Sequence, residues 1–70
     1  MGEEVTITLN GADRAVAAGS TIGAIVDLVV VDRSRVAVER NLEIVKRDAW
    51  DTVSVAPGDV IEVVTLVGGG

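Results

Sequence analysis

The sequence reaches Gly68-Gly69-Gly70 directly after Val60-Ile61-Glu62-Val63-Val64-Thr65-Leu66-Val67, an alternating apolar run that reads as a β-strand. The group this arrangement offers for chemistry is the α-carboxylate of Gly70. Glycines lose the most chain entropy on folding and pack nothing, so three in a row add nothing to a core. They give reach and slimness instead. At ~3.3–3.6 Å per residue the three span roughly 10 Å, and Gly68 and Gly69, lacking Cβ, can thread a channel closed to other residues. A carboxylate on such a stalk can be activated inside another protein. The alternative is an inert, exposed end, since termini are commonly loose.

Composition narrows who performs that chemistry. The 70 residues include no His, Cys or Tyr, which removes the commonest general base, the thiol nucleophile and the soft metal ligands. Serine and threonine remain, without a histidine partner and in a chain too small to enclose a pocket. The chain is therefore expected not to be an enzyme, and to need no metal or cofactor. A net charge of −5 argues against nucleic acid, which needs a basic footprint. The apolar run Leu28-Val29-Val30-Val31 is too short to cross a membrane, and Glu3 and Glu4 stand where a secretory signal would be basic. A cytoplasmic protein is expected.

The elements that must position the tail follow from periodicity. Val5, Ile7 and Leu9 alternate with Thr6 and Thr8 as a half-buried strand, and Asn10-Gly11 is a strong hairpin signal leading to a return strand over Ala12 to Ala17. Ser20 or Thr21 can cap a helix whose apolar stripe is Ile22, Ile25, Val26 and Val29, ending between Val30 and Asp32. Asp32 to Arg35 reads as loop. Val36 and Val38 mark a third strand, joined through the turn-prone Asn41 to a short fourth at Ile44-Val45. Asp48 to Thr52 is expected to form a helical turn carrying Trp50, and Ala56-Pro57-Gly58-Asp59 a turn before the last strand, Val60 to Val67. With the first and last strands paired in parallel at the centre, this order gives an α+β, ubiquitin-like β-grasp. A mixed sheet of four to five strands would carry one helix on one face. The expected division is a domain over 1–67 and a flexible glycine tail over 68–70.

Three stretches carry a more specific likeness: Asn41-Leu42-Glu43-Ile44-Val45-Lys46-Arg47-Asp48-Ala49-Trp50, Gly58-Asp59-Val60-Ile61-Glu62-Val63-Val64, and Val67-Gly68-Gly69-Gly70. Together they resemble the ThiS family, the ubiquitin-like sulfur carriers of thiamine thiazole biosynthesis. The resemblance implies that Gly70 carries sulfur as a terminal thiocarboxylate. An ATP-dependent, ubiquitin-activating-like adenylating enzyme (ThiF) would activate the carboxylate, a persulfide sulfurtransferase would supply sulfur, and thiazole synthase (ThiG) would receive it. Two residues depart from the family pattern: Lys46 stands where proline is common, and Leu42 where glycine is frequent. A molybdopterin-synthase-type sulfur carrier and a ubiquitin-like protein modifier are the alternatives.

Strand alternation assigns the rest of the candidate site. Ile61, Val63 and Val67 should face the helix, leaving Glu62, Val64 and Leu66 outward as a partner-docking surface. Trp50 reads as packing and Asp59 as a turn holder. Arg47 reads as a solvated surface charge, with a partner carboxylate as its other use.

Overall fold

The computed structural model describes residues 2–66. Five strands and one helix follow in the order β1 (Glu4–Leu9), β2 (Ala12–Ala17), α1 (Ile22–Val29), β3 (Val36–Arg40), β4 (Glu43–Ile44) and β5 (Val60–Thr65), with 3-10 turns at Arg33–Arg35 and Arg47–Ala49. The sheet order is β2-β1-β5-β3-β4. β1 and β5 are parallel at its centre, in the register Thr8↔Val60 and Leu9↔Ile61, and all other pairs are antiparallel. The core lies between the sheet's inner face and α1. Ile7, Leu9, Val38 and Ile61 from the strands meet Ile22, Ile25 and Val26 from the helix, and Trp50 closes one end.

Each hairpin turns on two residues with positive φ. Asn10 and Gly11 (φ 51° and 85°) join β1 to β2, and Asn41 and Leu42 (φ 53° and 73°) join β3 to β4. A two-residue turn with both φ positive matches the twist of the flanking strands and calls for Asn followed by Gly. The first hairpin has that pair. The second puts leucine in the left-handed region, where a side chain costs about 1–2 kcal/mol.

Thr21 caps α1, its hydroxyl accepting from the Ala24 amide at 3.1 Å. Gly23, a weak helix former, is buried where its amide donates to the Trp50 carbonyl at 2.8 Å, and a Cβ there would run into the Asp51 carboxylate and the Arg33 guanidinium. The helix ends sooner than its apolar stripe suggests. Val30 is already extended (φ −135°), so the helix stops at Val29, and Val29 is exposed rather than part of the core stripe. A run of three β-branched residues favours extended chain and explains the early end. The expected loop at 32–35 is a 3-10 turn, and the helical turn around Trp50 begins one residue earlier, at Arg47.

Candidate functional site

The candidate site is built on β5, the last strand before the glycines in the sequence. β1 covers only the start of that strand, and side chains of the two turn asparagines complete its pairing. Asn41 Oδ1 accepts from the Val60 amide at 2.8 Å, and Asn10 Oδ1 accepts from the Val63 amide at 2.8 Å. Asn41 also donates through Nδ2 to buried Asp59 at 3.1 Å, and the other Asp59 oxygen accepts from the Ala56 amide at 2.9 Å. Asp59 thus holds the Ala56–Asp59 turn, as its position suggests, with Gly58 supplying the positive φ of 84°.

At the other end, the Leu66 amide donates to the Arg35 carbonyl at 2.8 Å, so the 3-10 turn at Arg33–Arg35 fixes where the strand exits. That turn is braced from several sides. Asp32 accepts from the Ser34 amide at 2.9 Å and hydroxyl at 2.7 Å, and the hydroxyl bond is the main reason its carboxyl is held below the usual aspartate range. Arg33 forms a two-pronged pair with Asp27 on α1, at 2.9 Å for each contact, and reaches Asp51 at 3.0 Å. Arg33 likewise lowers the pKa of Asp27, chiefly through the hydrogen bond. Arg47 donates to the carbonyls of Arg33 and Val36 while its guanidinium lies 4.9 Å from the Trp50 ring centroid. Arg47 is exposed, as expected of a surface arginine, and its hydrogen bonds give it a further role. It is a brace, and its carbonyl partners lie 14 and 11 residues away, which local sequence does not advertise. Trp50 is packing, 1% exposed, with its indole N–H donating to the Val45 carbonyl at 2.9 Å.

The outward register of β5 is as alternation requires. Ile61 is fully buried and Val63 packs against the core, while Glu62 is exposed and Val64 and Leu66 are 44% and 53% exposed. Across the sheet, Val64 faces Ala37 and Glu62 faces Glu39. Two carboxylates directly opposite one another destabilise a sheet. Among the described residues the ion pairs are Arg33 with Asp27 and Asp51, and Arg40 with Asp59, so this acidic pair has no internal counter-ion. The strand itself ends at Thr65, and Val67, Gly68, Gly69 and Gly70 lie outside the described residues. Among the described residues no group of three acidic, His or Cys side chains could hold a metal, and no helix is long and apolar enough to cross a membrane.

A parallel central pair, two flanking hairpins and one helix laid across a single face define a ubiquitin-like β-grasp domain. Comparison with known proteins narrows the class. Residues 7–70 match the ThiS family. The crystal structure of a thiamine biosynthesis protein (ThiS) from Geobacter metallireducens superposes with a TM-score of 0.82 at 32% identity, covering 94% of this chain and all of that one. The chain belongs to the ThiS family. A thiazole synthase from Paramagnetospirillum magneticum is 42% identical over 64 residues, which is 91% of this chain and 20% of that protein. The chain thus spans about a fifth of the length of that curated relative.

Proposed function

We propose that this protein is a sulfur carrier of thiamine thiazole biosynthesis, with Gly70 as the terminal, sulfur-bearing residue. The observation that carries the proposal is the family match over residues 7–70, which runs through the glycine tail as well as the fold that aims it. An α-carboxylate of pKa roughly 3.3–3.7 is ionised at pH 7 and a poor electrophile. Activation must precede substitution. Attack of the Gly70 carboxylate on the α-phosphate of ATP, in an adenylating enzyme of the ThiF kind, forms an acyl-adenylate and releases pyrophosphate. The terminal sulfur of a sulfurtransferase persulfide then displaces AMP, and a second thiol cleaves the resulting acyl disulfide to leave C(O)S⁻. The thiocarboxylate is the nucleophile that delivers sulfur to a thiazole synthase such as ThiG.

In this reading the chain carries and does not catalyse. With no cysteine in the sequence it has no thiol on which to hold sulfur. Gly68 and Gly69 serve as the slim stalk beyond a folded unit ending near residue 67, and Glu62, Val64 and Leu66 as the surface on which partners dock. The identity with a thiazole synthase supports that enzyme as one partner, because a segment like this one shares its polypeptide. The relatives favour this pathway over a molybdopterin-type carrier or a protein modifier.

Incubation with adenylating enzyme, ATP and a persulfide donor should raise the mass of the Gly70-containing peptide by the exchange of one oxygen for sulfur. Adding one residue after Gly70, or replacing Gly69 by Val, should abolish that gain while leaving the thermal midpoint unchanged. Unimpaired thiolation of the extended chain would refute the assignment of Gly70.

A further inference from the structure

The two hairpins form an internal comparison. Both turn on an asparagine with φ near 50° followed by a residue in the left-handed region, yet the first uses Gly11 and the second Leu42. Leucine is strained there, and folding gains nothing to offset the strain, because Leu42 is 87% exposed. Two residues on, Ile44 is 66% exposed, and Val60, hydrogen-bonded through its main chain to Asn41, is 41% exposed. The outward sheet face joins this cluster to the proposed docking strip. In register, Ile44 lies opposite Glu39, and Glu39 opposite Glu62, so the cluster has an acidic rim with no internal counter-ion among the described residues.

We propose that Leu42, with Ile44 and Val60, is an anchor that inserts into an apolar pocket bordered by basic side chains on the thiazole synthase. The inference rests on the carrier reading and adds a second contact point. It lies at the start of β5, four residues and about 13 Å along the strand from Val64 at ~3.3 Å per residue, away from the end that presents the tail. A carrier gripped at both ends of β5 is held in orientation as well as in place. The synthase is the occupant committed to, because the curated relative keeps a segment like this one in the same polypeptide as that activity. A strained, solvent-exposed leucine then has a reason that glycine at the same position would lack.

The test compares the parent chain with Leu42→Gly and Ile44→Asp, measuring the denaturant midpoint, affinity for the synthase, and adenylation by the activating enzyme. Leu42→Gly is expected to raise the midpoint while weakening synthase binding by about fivefold or more, the loss expected of a buried interface anchor. Ile44→Asp is expected to keep the midpoint and weaken the same binding. Adenylation should stay at the parent's rate in both. Synthase affinity within about twofold of the parent for both variants overturns the anchor, twofold being well below the effect of a hot spot. A loss confined to adenylation overturns the choice of partner. A parent chain that is thiolated but does not bind the synthase overturns both the anchor and the synthase as partner, while leaving the carrier chemistry standing.

Discussion

Asn10 and Asn41 do at residue scale what the central strand cannot do for itself. Each takes positive φ in its turn and turns its side-chain oxygen onto an amide of β5 that no neighbouring backbone serves. Asp59 completes the arrangement by receiving Asn41 and the Ala56 amide together. Replacing Asp59 with Ala leaves two donors facing a buried gap and should cost about 1–3 kcal/mol in equilibrium denaturation. Lys46 offers the opposite case. Its φ of −64° and ψ of 144° are those of proline, so Lys46→Pro should raise stability by about 0.4–1 kcal/mol through the unfolded chain, read as a shift in the denaturant midpoint. The sequence announced Asn10-Gly11 and Pro57-Gly58 because those pairs have few other uses. The left-handed Leu42 was announced only indirectly, by its place after the turn-prone Asn41 and where the resembled family frequently has glycine; leucine itself is compatible with almost any element, and the register of β3 with β4 fixes its place in the turn.

At the scale of elements, strand alternation was legible wherever one face is buried, and β5 is the clear case. Val63→Asp should place a charge against the core and lower stability by several kcal/mol or unfold the domain, whereas Val64→Asp should change it by less than about 0.5 kcal/mol. The reverse ranking would mean a register shifted by one residue. Short non-repetitive elements were less legible. The turn at Arg33–Arg35 depends on Asp32, Arg33 and Arg47, whose partners are scattered from Asp27 to Asp51, and no period in the sequence records such a convergence. The carboxyls of Asp27 and Asp32 are held below their ordinary value of about 3.9 in the folded chain. Because the folded pKa is the lower one, their contribution to stability is present above pH ~4 and is lost as pH falls through the folded value. Asp32→Asn should flatten the acid limb of the stability profile, and an NMR titration of Asp32 should give a midpoint below ~3.9.

For the whole molecule, the architecture separates what keeps the domain folded from the outer face proposed above as the docking surface. α1 and the inner sheet face bury the core, the turn asparagines hold β5, Arg47 braces the turn at Arg33–Arg35, and the outer face around β3–β5 carries exposed valine, leucine and isoleucine beside glutamates that have no ion-pair partner among the described residues. A carrier of the kind proposed, passing between several enzymes, has to bind each and then leave. Electrostatic attraction suits that need, because it speeds encounter more than it prolongs the complex. Glu62 is where the two demands conflict most directly. Its carboxylate faces Glu39 across the strands, an arrangement that costs a sheet roughly 0.2–1 kcal/mol and would be relieved by a cation from a partner. Glu62→Gln should therefore move two quantities in opposite directions. Folding stability, measured by denaturant, should rise by a few tenths of a kcal/mol as the like-charge contact disappears. Association with the adenylating enzyme or the synthase should slow, and its rate should fall less steeply with added salt than the parent's, because one steering charge is gone. A gain in stability without any change in the salt dependence of association would place the docking surface away from this strand.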